Sequence, residues 1–208
     1  LKEKCKMDKL AFVTGNINKG NEMKKKFMEE KIPIEIVIME FDEPEINDIN
    51  YISKNKVIQA YDALKRPCFV IDSGFNIYNY PNNPNYPGAF VHRSGLSKNI
   101  DKLLIDMKDV SDRGCQFLDC LTYYDGVTLL QFNGINKGVL TYEKRGIKND
   151  VMRSDLWYVF SPSGSNKTLA EMTDEERNNR KVDHISAKEQ FITWYRKNVI
   201  GYCKKKIL

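Results

Sequence analysis

Phe12-Val13-Thr14-Gly15-Asn16-Ile17-Asn18-Lys19 is the stretch on which the reading of this 208-residue chain turns. An apolar run ends in a Thr-Gly-Asn turn, and a helical pattern with Lys19 in its first turn starts at once. This is a strand delivered to a helix N-terminus by a short polar loop. Backbone N–H groups and the positive end of the helix dipole converge there and form a seat for phosphate. Lys19 brings a full charge to the same place.

Outward from this corner the pattern alternates. The spacing predicts a strand at 9–14, a helix at 17–30, a strand at 34–40, a helix at 51–65 and a strand at 68–72. Met23 and Phe27 fall one helical turn apart, and Val57, Ala60, Tyr61 and Leu64 keep the i, i+3, i+4, i+7 rhythm of a buried helix face. Strand–helix–strand–helix–strand argues for an α/β fold with helices packed on a sheet. Tyr78 to Gly88, rich in Pro, Asn and Tyr, reads as a long loop, followed by a helix at 97–107 capped by Ser97. Strands are expected at 114–124 and 127–133, joined by the hairpin signal Asp125-Gly126, and again at 136–144 and 155–160. Thr173-x-x-Glu176 and Ser186-x-x-Glu189 have the form of capping boxes. After the second, Ala187, Phe191, Trp194, Tyr195, Val199 and Tyr202 make one helical stripe, read as core. Nothing cuts the chain, so 1–208 is expected to be a single unit of two lobes with a cleft between them.

Lys and Arg number 33 against 28 Asp and Glu, a net charge of +5. Much of the excess sits at Lys2, Lys4, Lys6 and Lys204-Lys205-Lys206, read as solvated tails. No interior segment interleaves basic and aromatic residues, so a nucleic-acid partner is not expected, whereas a mildly basic balance suits a small anionic ligand. No apolar run reaches membrane-spanning length, and the lysine-rich start lacks the apolar segment of a secretory signal. Five cysteines without a Cys-x-x-Cys pair, and only two histidines, argue against structural zinc and a disulfide framework and for a reducing cytoplasm. Cys68 and Cys120 lie in apolar stretches and read as packing.

Three further clusters carry chemistry. Phe41-Asp42-Glu43-Pro44-Glu45 offers hard oxygen ligands for magnesium at a phosphate, or is a solvated acidic turn. In Val70-Ile71-Asp72-Ser73-Gly74 a carboxylate stands at the end of an apolar strand, where it needs a partner and where open α/β sheets gather their ligands. Asp72 is therefore expected to hold a metal or activate water, with a turn-capping aspartate as the plain alternative. The polar run Ser161 to Met172, then Asp174 to Asn178 and Asp183-His184, has the makings of a frame for a nucleobase, although an isolated histidine is more often structural.

Phe-Val-Thr-Gly-Asn-x-x-Lys, Asp-Ser-Gly after a strand, Pro87-Gly88-Ala89-Phe90 with Arg93, and Lys-Thr-x-Ala-Glu-Met with a later histidine follow one another in order. Together they resemble the inosine triphosphate pyrophosphatase family from about Leu10 to Trp194. The resemblance implies an elongated, two-lobed α/β fold around a long mixed sheet, usually as a homodimer. It implies Mg2+-dependent cleavage of a purine nucleoside triphosphate such as ITP, dITP or XTP to the monophosphate and pyrophosphate. Carried over by position, Thr14, Asn16, Lys19, Lys56 and Ser73 contact the phosphates, and Glu45 and Asp72 hold the metal. Asp72 and Lys19 serve the chemistry, while Asp155, Arg177 and His184 face the base.

The departures are specific. The acidic residue that usually precedes the matched aspartate is Ile71. The family's base-stacking phrase becomes Met152-Arg153-Ser154-Asp155-Leu156, with Trp157 as the nearest aromatic, available for stacking or for core packing. Its Ser-His-Arg becomes Asp183-His184-Ile185, preceded by two extra residues, and Arg177 stands where a lysine is usual. Ile185 donates nothing to a purine 6-oxo group, so base selectivity is expected to have moved or relaxed. A nucleotide-binding or sensor module with weakened catalysis is the alternative reading.

Overall fold

The computed structural model describes residues 9–148, 152, 154–180 and 182–201. The lysine tails, Cys5, Tyr202 and Cys203 lie outside the described residues.

β1 (Leu10–Thr14), α1 (Ile17–Glu29), β2 (Ile34–Ile38), α2 (Ile49–Leu64) and β3 (Cys68–Ile77) open the chain in the expected alternation. α2 starts two residues earlier than its apolar rhythm suggests, because the Asp48 carboxylate caps it, accepting from the N–H groups of Asn50 and Tyr51. β3 runs on past Asp72 to Ile77, and part of the expected loop pairs with it as β4 (Tyr86–Gly88). A 3-10 turn at Leu96–Lys98 precedes α3 (Ile100–Asp106); the cap of α3 is Asn99, which accepts from Lys102 N–H, rather than Ser97.

β5 (Gly114–Tyr124) and β6 (Leu129–Leu140) form the long hairpin around Asp125-Gly126. The strands expected at 127–133 and 136–144 are thus one strand. Gly134 does not end it: a Cβ there would lie 2.8 Å from Ala187 N, so the glycine admits a close backbone approach. The strand expected at 155–160 is a 3-10 turn, Asp155–Tyr158, started by the Ser154 side chain, and only then β7 (Phe160–Pro162). α4 (Asp174–Asn178) closes a reciprocal capping box between Thr173 and Glu176. β8 (His184–Ile185) leads into α5 (Ala187–Tyr195), capped by Ser186, and a π-helical turn at Arg196–Ile200 follows.

The result is an open mixed sheet in the order β2-β1-β3-β5-β6-β7, parallel at β2-β1-β3 and antiparallel beyond, with β4 beside β3 and β8 beside β6. Ala11, Val13, Cys68 and Val70 pack under Val57 and Ala60 of α2. The opposite face carries two apolar clusters. Phe12, Phe69, Ile71, Leu121 and Tyr123 pack with Phe27 of α1 and Phe191 of α5. Phe75, Ile77, Cys115 and Phe160 pack with Leu103 and Met107. Side chains alternate along a strand, so Phe69, Ile71, Ser73, Phe75 and Ile77 share one face of β3. Ser73 and its cross-strand partner Asp119 therefore form a polar row between the two clusters.

Candidate functional site

The sheet has a gap. β1 pairs with β3 only as far as Phe12–Phe69, and β4 joins the same edge only from Phe75 onward. From Val70 to Gly74 that edge of β3 has no strand beside it, and Asp72 and Ser73 stand on it, pointing to opposite faces. α1 feeds into this opening. Lys19 Nζ donates to the carbonyl of Ile71 at 3.1 Å. Burial pulls its ammonium below the ordinary lysine range, while the charges of Asp72 and then Asp119 push the other way.

On the α2 side, Lys56 Nζ lies 2.8 Å from Asp72 Oδ2 and 2.6 Å from Glu43 Oε1. Burial alone would depress this ammonium, but Asp72 and Glu43 hold it above its ordinary value. Arg93 reaches the other oxygen of Glu43 at 3.4 Å. Asp72 Oδ2 is buried, with Lys56 as its ion-pair partner. Beneath it, the fully buried Ser53 hydroxyl bonds Cys120 O at 3.0 Å and Thr122 Oγ1 at 2.7 Å, fixing α2 to β5.

The turn before α1 is less open than its sequence suggests. Asn16 Oδ1 accepts from the N–H groups of Asn18 and Lys19, and Thr14 Oγ1 accepts from Asn16 N–H. Side-chain oxygens of the turn itself satisfy these amides, Asn16 being a strong N-cap, leaving the Lys19 side chain as the corner's charged reach into the gap.

On the α1/α5 face, Ser73 Oγ donates to Asp119 Oδ1 at 2.6 Å. Beyond them His184, on β8, pairs with Asn136 of β6. Burial, then the charge of Arg180, hold its imidazole below the ordinary range, with Glu189 and Asp119 pulling weakly upward. Arg180 lies four residues before His184. Its Nε donates to Arg177 O and its Nη1 to Asn136 Oδ1, each at 3.0 Å. It meets no carboxylate among the described residues, and burial lowers its pKa.

The remaining expected residues lie differently. Glu45 is exposed, and no described residue pairs with it; its neighbour Glu43 is the one in the Lys56 pair. Asp155 is exposed on its 3-10 turn. The Arg177 guanidinium is turned inward, bonded to Leu169 O, Met172 O and Asp174 and stacked 5.4 Å from the Trp157 ring centroid. It thereby ties α4 to the preceding loop, and Trp157 packs against the second apolar cluster. Sequence reading placed Glu43 in the acidic cluster but not as the partner of Lys56, and it missed Asp119 and Arg180. Of those two, Asp119 carried a signal: a lone acid at a core-facing position of a strand.

The Ham1 family model matches residues 10–193. The chain belongs to the Ham1 family. Among relatives of this Ham1 chain, the dITP/XTP pyrophosphatase of Saccharolobus solfataricus is 34% identical over 170 residues, covering 82% of this chain and 85% of that protein. The dITP/XTP pyrophosphatase of Methanopyrus kandleri is 29% identical over 197 residues, covering 93% and 99%. The fold is that of the Staphylococcus aureus Ham1 protein, with TM-score 0.69 and 20% identity over 92% of this chain and 99% of that one. A HAM1 protein from Coxiella burnetii superposes with TM-score 0.72 at 20% identity, covering 90% and 99%.

The donor set suits a magnesium ion. No group of three or more His, Cys, Asp or Glu among the described residues forms a complete cage. Magnesium does not require one, since it keeps waters and takes one or two carboxylates together with substrate phosphates. Asp72 meets one cation, Lys56, and the exposed Glu45 carboxylate pairs with no described residue, whereas Glu43 is already held by two cations, Lys56 and Arg93.

Proposed function

We propose that this chain hydrolyses purine nucleoside triphosphates carrying a 6-oxo group, such as dITP, ITP and XTP, to the monophosphate and pyrophosphate. The observation that carries this reading is the convergence of Lys19 and Asp72 on the opening in the edge of β3. Relatives that align with most of this chain are dITP/XTP pyrophosphatases, which supports it.

The polyphosphate lies across the opening. Lys19 and Lys56 neutralise its charge from the two sides of the sheet, and Thr14 and Asn16 shape the turn that holds Lys19 in place. Asp72 and Glu45 would hold Mg2+, which supplies charge neutralisation at the phosphates. Nearly all the acceleration is alignment and fixed electrostatics. The base extends toward β8, where the Arg180 Nη2, which bonds no described residue, provides a donor for the 6-oxo edge beside His184. Arginine is well matched to such acceptor edges. The protein works as a homodimer, by analogy with the resemblance set out above, and its cysteine usage suits a reducing cytoplasm.

Pyrophosphate release from a panel of ribo- and deoxynucleotides tests this. dITP, ITP and XTP are expected to turn over at least about tenfold more efficiently than ATP or dATP. Absence of pyrophosphate release from every nucleotide rejects the reading. Ile71, packed in the first apolar cluster where the resemblance set out above implies an acid, favours the second reading, a nucleotide-binding module without hydrolysis. That module would bind the same nucleotides and release nothing.

A further inference from the structure

On the α2 side of the opening one carboxylate bridges two cations. Glu43 Oε1 lies 2.6 Å from Lys56 Nζ, and its Oε2 lies 3.4 Å from Arg93 Nη2. Two oxygens of a single phosphate group would bridge the same pair. Lys56 is also 2.8 Å from Asp72, so this seat adjoins the place where the function proposed above puts the polyphosphate. The Glu43 carboxylate and an incoming phosphate therefore compete for the same charges. His184, at the base end, belongs to the α1/α5 face, whereas the seat belongs to the α2 face. The phosphates that reach it are those remote from the base, which leave as pyrophosphate.

The surroundings let this side chain depart while the rest stays in place. Glu43 precedes Pro44, which confines its backbone to extended conformations. Gln59 holds both backbone groups of Asp42, accepting from its N–H at 3.0 Å and donating to its carbonyl at 2.9 Å. Further along the same loop, Asn47 Oδ1 accepts from Ala89 N–H at 2.7 Å. The loop is thus stapled on each side of Glu43. The Glu43 side chain is 38% exposed against 11% for Lys56, so it is the member of the pair that can swing out into solvent. Both cations have other supports. Lys56 keeps Asp72 and the Phe41 ring, and Arg93 keeps the Glu43 carbonyl and the Phe90 ring.

We propose that Glu43 is a displaceable internal anion that occupies the pyrophosphate seat of Lys56 and Arg93 and helps to eject the leaving group. A ligand gains these two cations only by turning the carboxylate out, and the carboxylate returns as the ligand leaves. The cost falls equally on the triphosphate and on pyrophosphate. The triphosphate has its base to hold it, whereas free pyrophosphate does not. Tight binding that substrate and product share adds nothing to the chemical step, so weakening it at this seat favours turnover.

The inference deepens the pyrophosphatase reading and rests on it for the identity of the anion. Calorimetry of inorganic pyrophosphate against the full chain, with Mg2+ held constant, tests it without turnover, so the two fail separately. Glu43→Gln is expected to bind pyrophosphate at least about fivefold more tightly than wild type, because a charged competitor has become neutral. Its affinity for dIMP, which has no leaving-group phosphates, should stay within about twofold. Asp42→Asn makes the same change of charge on the neighbouring exposed residue and should also leave pyrophosphate affinity within about twofold. Adding Arg93→Met to Glu43→Gln is expected to take back most of the gain. The melting temperature of Glu43→Gln should stay within about 3 °C of wild type, since the pair is half-exposed. A smaller gain for Glu43→Gln, including no detectable binding by either protein, overturns the inference. An equal gain for dIMP or in Asp42→Asn, or a gain that survives Arg93→Met, overturns it as well. A larger fall in melting temperature would make Glu43 a structural anchor, with the same result. Wild-type protein that releases no pyrophosphate from any nucleotide overturns the pyrophosphatase reading, while calorimetry still decides whether Glu43 guards the seat.

Discussion

The Lys19 ammonium is bonded to the Ile71 carbonyl at 3.1 Å, joining residues 52 apart in sequence and holding the first turn of α1 against the open edge of β3. Burial keeps this ammonium below the ordinary value of 10.5, with Asp72 and Asp119 opposing. The unfolded chain therefore holds the proton more tightly than the folded one. Stability rises with pH between the lowered folded value and 10.5 and is flat beyond either limit. Lys19→Met is expected to remove that rise in thermal unfolding followed across the alkaline range, and to lower pyrophosphate release by about 10²–10³-fold. A stability profile that keeps the same slope in the variant would contradict the assignment.

Asp72→Asn is expected to cut turnover by about 10³-fold or more while the protein stays folded, because Lys56 retains Glu43 as a partner. Chelation of divalent ions should stop pyrophosphate release as completely. It should move the melting temperature by no more than about 2 °C, since Lys56 already neutralises Asp72 in the metal-free protein. A large drop in melting temperature on chelation would mean that the ion is structural.

His184 provides an acid-side test. Burial, and then Arg180, hold its folded pKa below 6.5. Above 6.5 both states are neutral and nothing changes; as pH falls from 6.5 through the lowered folded value, the unfolded state takes up the proton first and stability declines. His184→Gln should flatten this part of the profile in denaturant titrations. Survival of the decline at full size would assign it to another group.

Arg180→Met is expected to reduce the preference for dITP over dATP by about tenfold or more through KM, with kcat for dATP little changed. Arg177→Met should instead lower thermal stability and leave the preference intact, because that guanidinium is spent on Leu169 O, Met172 O and Asp174. Parallel kinetics on the two nucleotides distinguishes these outcomes.

Ser53→Ala removes a fully buried hydroxyl that joins α2 to Cys120 and Thr122 of β5. The cost is expected at about 1–3 kcal/mol, read as a shift in the denaturation midpoint. Nucleotide selectivity should stay unchanged, since no part of the base region touches Ser53.

The corner from Phe12 to Lys19 and the alternation through β3 were legible because apolar period and cap chemistry are local properties. What escaped the sequence was set by distant chain. β3 looked finished at Asp72 because a charged and a hydroxyl residue interrupt its apolar run, yet the alternation resumes at Phe75 and Ile77 once β4 and β5 pair with it. Gly134 resembled a strand end and is a place where α5 comes close. Arg177 looked available for a ligand until the fold supplied backbone carbonyls around it. The amides at Asn16, Asn18 and Lys19 were counted as free although the residue best able to cap them stands in the same turn.

Unpaired strand edges attract other chains, because a row of bare amides and carbonyls is a template for any extended peptide. The vacancy along Val70 to Gly74 is short, is barred at one carbonyl by the Lys19 hook, and is flanked by ionised side chains on both surfaces. A neutral polypeptide would have to strip charges of their solvation to dock there, whereas a compact polyanion brings its own compensation. The charges that suit the notch to a polyanion thus also keep a stray strand from adding to this edge of β3.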